Sequence, residues 1–156
     1  MAAFKKETEK ICDFRNEEIE LELTQEVVIL EVKVCVKDKE KAIKLDWSVD
    51  EELSASTSAQ NTAFINVTVE YRLFRNDKQI GSTINSQNQS SVGVDNLAPD
   101  NLIRNSFLQH TQPNFTFCDE TPDIGINLYQ VTATLKSVNG TFFSAIILDR
   151  SLIAVY

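Results

Sequence analysis

Few side chains in this 156-residue chain could do chemistry: three cysteines (Cys12, Cys35, Cys118), a single histidine (His110) and the acidic cluster Asp119, Glu120 and Asp123 in "DETPD". A histidine-based triad would have to be built on His110, and no nucleophile-elbow sequence surrounds any serine. A lone imidazole of this kind reads as a surface or loop residue. A zinc site would need Cys12, Cys35, Cys118 and His110, yet no two of them have the short spacing at which ligand pairs leave one turn. The "DETPD" oxygens could meet calcium but lack the regular order of a dedicated loop. No glycine-rich phosphate cradle occurs. The expectation is therefore a protein with no catalytic residues, no cofactor and no metal, and not an enzyme.

Three cysteines are too few for a disulfide scaffold, and an odd count leaves one thiol free or paired with another molecule. The formal charge of −8 offers no cationic face to nucleic acid or to anionic lipid. "MAAFKK" runs into "ETEKICDF" without a long apolar stretch, so the expectation is no Sec signal peptide, no membrane insertion and synthesis in the cytosol. Asn66, Asn88, Asn114 and Asn139 each open an N-glycosylation triplet, expected to be unused in that setting.

The elements that must position these side chains have strand period almost throughout. "EIELEL" puts Ile19, Leu21 and Leu23 against Glu18, Glu20 and Glu22. "VVILEVKVCVK" puts Val28, Leu30, Val32, Val34 and Val36 inward, with Ile29, Glu31, Lys33, Cys35 and Lys37 outward. "AIKLDWSVD" turns Ile43, Leu45, Trp47 and Val49 inward before a polar stretch, "EELSASTSAQ". "FINVTVEYRLFRN" aligns Ile65, Val67, Val69, Tyr71 and Leu73. "NFTFCD" shares Phe115 and Phe117 on one face, leaving Cys118 outward. Asn76-Asp77 and Asn139-Gly140 tolerate positive φ and read as hairpin turns, the second of type I′. The Ser, Asn and Gln tract after the first hairpin reads as a long exposed loop holding at most a short edge strand. About eight or nine strands, few glycines and no convincing helix give an all-β, antiparallel, jelly-roll-like β-sandwich. At this size a domain buries roughly 70% of its unfolded surface, enough for one core over residues 18–156.

Residues 1–17 read as an N-terminal arm whose apolar contacts are Phe4, Ile11 and Phe14, too few for an independent helix. Extended, such an arm reaches roughly 55 Å. It could add a strand to the open edge of a neighbouring sandwich, and Cys12 could there meet Cys35 or Cys118 if the Cα atoms approach within about 7 Å. Head-to-tail contacts of that type do not close and build filaments.

The segment "VTVEYRLFRNDKQIG", followed by "NFTFCDETPDIGINLYQVTATLKSVNGTFFSAIILDRSLIAVY", resembles the second half of small β-sandwich proteins of bacterial spore surfaces, such as the exosporium protein C family. The resemblance lies in Phe74-Arg75 to Ile80, Asp119, Pro122, Gly125, Tyr129 and the apolar end from Ile146 to Tyr156. More distantly the chain is similar to endospore appendage fibre subunits, jelly rolls whose N-terminal connectors join neighbours through disulfides. That similarity implies Cys12 as the connector thiol and Cys35 and Cys118 as acceptors, although those connectors carry adjacent cysteines and this arm has one.

The resulting reading is a structural, self-assembling subunit of a spore or cell-surface filament or layer, its partner a homo-oligomer or polymer of the same chain. The alternative is a trimeric head of the complement or tumour-necrosis-factor kind, binding a receptor or glycan through residues 85–101. A metal-dependent enzyme built on Asp119 or Asp123 is the third.

Overall fold

The computed structural model describes residues 9–38, 41–59, 62–92 and 103–156. Period-two alternation becomes ten strands: β1 (Lys10–Arg15), β2 (Ile19–Glu20), β3 (Glu26–Val36), β4 (Ile43–Ala59), β5 (Thr62–Arg75), β6 (Lys78–Val92), β7 (Ile103–Thr111), β8 (Asn114–Asp119), β9 (Gly125–Asn139) and β10 (Phe142–Val155). One sheet has the order β1-β10-β4-β7, with β2 also on β10 and β8 also on β4; the other is β3-β9-β5-β6. The strand ladders are antiparallel. Pairing is nested, first strand with last, β3 with β9, β4 with β7 and β8, β5 with β6, which is a long hairpin rolled into two layers, the jelly-roll arrangement. The all-β sandwich read from the sequence is what forms.

The core follows the expected faces along most of the chain. Ile43, Leu45, Trp47 and Val49 from β4 and Ile65, Val67, Val69, Tyr71 and Leu73 from β5 are buried together with Val32, Val34 and Val36 of β3. The Asn76-Asp77 turn has φ of 49° and 65° and joins β5 to β6 as a hairpin.

The structure departs from the sequence reading at several places. Beyond Val28 a bulge lets β3 spend one extra residue, so Ile29 and Leu30 are both buried while Val28 is 42% exposed. Leu23 is 47% exposed, because the chain there crosses between sheets: Leu21 N donates to Ala145 O of one, and Thr24 N, at φ 67°, donates to Leu135 O of the other. The polar "EELSASTSA" continues β4 as one 17-residue strand. The Ser, Asn and Gln tract is not a loop as far as Val92: it is the edge strand β6, paired with β5 down its length. Its inward side chains are themselves polar, among them Thr83, Asn85 and Gln87, so the alternation carries no hydrophobic contrast to read. Of the loop proposed as a contact surface, residues 93–101 lie outside the described residues.

Asn139 and Gly140 do not make a type I′ hairpin. They carry the chain from β9 in one sheet to β10 in the other, and neither has positive φ. What Gly140 supplies is close approach: a Cβ there would sit 3.2 Å from the Ser56 carbonyl oxygen.

Candidate functional site: the seat of the N-terminal strand

The described part of the arm does not project from the body. Lys10–Arg15 form the edge strand β1, in register on β10 of the same chain from Lys10↔Val155 to Arg15↔Arg150. Main-chain bonds extend the ladder one residue further, Glu9 and Tyr156 exchanging N–H···O contacts of 3.0 and 3.1 Å. Alternation explains the seat. Ile11 turns inward and packs on the core, while Cys12 and Phe14 face solvent, Phe14 at 68% exposure. Of the expected arm contacts, Ile11 is thus a core contact, Phe14 is a surface side chain, and Phe4 lies outside the described residues.

Two charged side chains tie this edge to the opposite sheet. Asp13 Oδ2 accepts from the Glu31 backbone N–H of β3 at 2.9 Å and from Arg15 Nε at 2.9 Å. It thereby caps one donor on the open edge of β3, which would otherwise be available to an incoming strand. Arg150 follows a bulge in β10 after Ile147 and turns into the interior, where it is 4% exposed. Its Nε donates to the Ile29 carbonyl at 2.9 Å, and Nη1 donates to the carbonyls of Glu17 at 2.6 Å and Leu148 at 2.9 Å. No carboxylate among the described residues lies within ion-pair reach of it. Burial, and next the nearby Arg15 charge, hold its pKa below the usual guanidinium value. A buried cation solvated only by carbonyls is unusual, and one of those carbonyls belongs to the short link between β1 and β2.

A second buried charge closes the other side. Glu51 of β4 is fully buried; Tyr71 Oη donates to Oε2, and Asn85 Nδ2 and Thr111 Oγ1 donate to Oε1, the last at 2.7 Å. These donors come from β5, β6 and β7, so one carboxylate joins both sheets. Burial and the adjacent Glu51 charge push the Tyr71 phenol far above its ordinary value. At one end of the sandwich Asp119 does similar work with a cation: Arg75 Nη1 reaches its two oxygens at 2.9 and 2.8 Å, and Tyr129 Oη donates at 2.7 Å. Asp119 of the "DETPD" segment is therefore committed to Arg75 and Tyr129. Among the described residues no three His, Cys, Asp or Glu side chains are grouped to hold a metal ion.

The structure keeps the cysteines apart. Cys12, Cys35 and Cys118 are all free and exposed. Cys12 lies in the outer-face row of Ile153, Asp46 and Thr116, whereas Cys118 lies in the row of Lys44, Val155 and Lys10. Three strand intervals of about 4.8 Å separate β1 from β8, well beyond disulfide reach. Cys35 faces outward on the other sheet, opposite Ile126. His110 is also a surface side chain, 3.3 Å from Glu52.

Sequence reasoning missed Glu51, Asp13 and Arg150. Glu51 was legible, since extending the inward parity of Ile43 to Val49 by one step lands on it. Arg150 was not, because the bulge resets parity between Ile147 and Leu152.

No protein-family model matches the chain, and no curated protein matches it significantly. Among solved structures it is similar to a chain of infectious bursal disease virus, Gx strain, at 9% identity and a TM-score of 0.38, over 97% of this chain and 32% of that one. The chain spans about a third of that protein's length, and a likeness this slight assigns no function. No helix among the described residues is long and apolar enough to cross a membrane.

Proposed function

We propose that this chain is a structural, self-assembling subunit of a surface filament or layer, joined by exchange of β1 between copies. The observation that carries the reading is the seat of β1: a six-residue edge strand held by β10, the last strand, and tethered to the body by residues 16–18 alone. Every register partner of β1 exists identically on a second copy. Release of the tether therefore allows the same ladder, the same Ile11 contact and the same Arg150–Glu17 bond to form between chains, which is the physics of strand exchange. Reciprocal exchange closes a dimer, whereas head-to-tail exchange propagates. The exposed thiol of Cys12 travels with the strand. In the exchanged seat Cys12 lies as far from the Cys35 and Cys118 of the receiving copy as it does within one chain, so a disulfide at Cys12 would join the pair to a third copy that presents either thiol, in an oxidising setting. A bacterial spore surface, assembled from the mother-cell cytosol, is the location suggested by the sequence resemblance.

Removal of residues 1–17 tests the reading. Negative-stain microscopy and light scattering should show fibres or sheets for the full chain and dispersed particles after truncation; identical assemblies from both would exclude β1 as the connector. Non-reducing electrophoresis of Cys12→Ser tests the staple separately, since an unchanged ladder removes Cys12 from it.

A further inference from the structure

Three strands bring a base, a nucleophile and an electrophile together at the β6 and β7 edge, and the hydrogen bonds among them are ordered as for acyl transfer. Thr111, the last residue of β7, stands opposite Glu51 of β4 in register, and its Oγ1 donates to Glu51 Oε1 at 2.7 Å. Asn85 enters from β6 of the other sheet. Its Nδ2 donates to the same Oε1 and also to Thr111 Oγ1 at 2.9 Å, so the amide carbon, one bond beyond, is at most about 4.2 Å from the hydroxyl oxygen. At the far end of the amide, Gln87 Nε2 donates to Asn85 Oδ1 at 3.2 Å. Tyr71 Oη holds Glu51 by its other oxygen, Oε2. A pin needs only donors for the buried carboxylate. The bond from Gln87 goes instead to the carbonyl oxygen, where negative charge gathers if the amide carbon is attacked.

From this geometry we infer that the chain cross-links itself through an ester between Thr111 and Asn85. Glu51 Oε1 takes the hydroxyl proton as Oγ1 bonds to Asn85 Cγ, the approach being reached by turning the soft last torsion of Asn85. Gln87 Nε2 holds the tetrahedral oxyanion. The C–N bond then breaks, Glu51 returns its proton to Nδ2, and ammonia leaves. A hydroxyl and a primary amide become an ester and ammonia, with the carboxylate regenerated and nothing oxidised or reduced. The hydrogen bonds given above are those of the side chains before reaction. Glu51 is fully buried, which keeps water from competing for the base, whereas Asn85 and Thr111 are half-buried at the edge and leave ammonia a way out. The product ties β6 of one sheet to β7 of the other. It goes beyond the assembly reading and stands without it.

The test is intact-mass spectrometry of the full-length chain, denatured and reduced, after incubation until the mass is constant. The mass should fall one ammonia short of that calculated from the sequence, and a tryptic digest should yield residues 79–104 joined to residues 105–136. Thr111→Val, which keeps the shape and removes the nucleophile, should restore the calculated mass and separate the two peptides. Glu51→Gln should do likewise, and Gln87→Ala should slow the approach to the final mass about tenfold or more. Thr111 and Gln87 are half-buried, so those two variants probe the chemistry in a folded chain. A wild-type chain that stays at its calculated mass overturns the inference. So does a loss of ammonia that persists in Thr111→Val, which assigns it to a succinimide at Asn85-Ser86, or a loss of water, which assigns the bond to Glu51 itself. Truncation of residues 1–17 measures assembly instead, so the two failures are distinguishable.

Discussion

The two long edges of the sandwich each bury a charge whose hydrogen-bond partners are uncharged, and they use that charge differently. On the β6 and β7 side it is an anion, Glu51, wrapped by the donors of Tyr71, Asn85 and Thr111. On the β1 and β3 side it is a cation, Arg150, wrapped by the carbonyls of Ile29, Glu17 and Leu148. Every ligand of Glu51 is a side chain on a strand in the middle of the chain. One ligand of Arg150 is the main chain of a terminal tether. The first edge opens only if both layers separate; the second can lose its outer strand and keep its core. Equal chemistry at the two edges thus gives a lock on one and a latch on the other, and a protein that exchanges a strand needs the latch at the exchanging edge.

That contrast can be broken in order of expected effect. Glu51→Ala leaves three donors without their acceptor, the Tyr71 hydroxyl fully buried, and should cost about 3 kcal/mol of global stability, read from chemical denaturation. Amide exchange should then accelerate across both sheets. Arg150→Met should cost less, about 2 kcal/mol, because only under-satisfied carbonyls remain. Its signature should be local: faster exchange at Lys10–Arg15 than in β5 or β9. If Arg150→Met instead loosens the whole molecule as Glu51→Ala does, the latch description is wrong.

Alkali probes the pins through their phenols. Burial and a carboxylate partner raise Tyr71 and Tyr129 above the ordinary tyrosine value, Glu51 acting on the first and Asp119 on the second. A raised folded pKa means that this stability is fully present below the unfolded value of about 10 and is lost as pH rises beyond it, by about 1.4 kcal/mol per pH unit for each such phenol. Tyrosinate absorbance of these two residues should appear together with unfolding, not before it. Smallest is Asp13→Asn, which weakens two charge-assisted contacts, to Glu31 N and to the partly exposed Arg15, and should cost about 0.5 kcal/mol. Its effect should be confined to the rate at which β1 exchanges.

Period-two patterning was enough to place most of the core, because Ile43–Val49 of β4, Ile65–Leu73 of β5 and Asn114–Phe117 of β8 alternate between apolar and polar side chains. It failed where geometry changes without a change in composition. The bulges at Val28 and after Ile147 exchange inside for outside within one residue. β6 turns polar side chains into a polar interior, so it looks like a loop. Asn139 and Gly140 look like a hairpin because the same residues serve a tight crossing between layers. For the site, the outward direction of Cys35 and Cys118 was legible from parity. The seat of β1 was not, since a short strand with Ile11 as its one inward apolar anchor carries little signal of its own and is fixed by Asp13 and Arg150, whose partners lie 18 and 121 residues away in sequence.

The central claim is that β1 changes hands, and one register pair can report it. Glu9 and Tyr156 are a hydrogen-bonded pair, so Cys12 and Ile153 three residues inward are a non-hydrogen-bonded pair. Such pairs have Cα atoms about 4.5 Å apart, within the range a disulfide accepts. Ile153→Cys in a chain also carrying Cys35→Ser and Cys118→Ser, assembled under reducing conditions and then oxidised, places the only two thiols at this joint. Exchange predicts chains linked covalently into a ladder on non-reducing gels; cross-links confined within single chains would show that β1 stays at home and contradict the account.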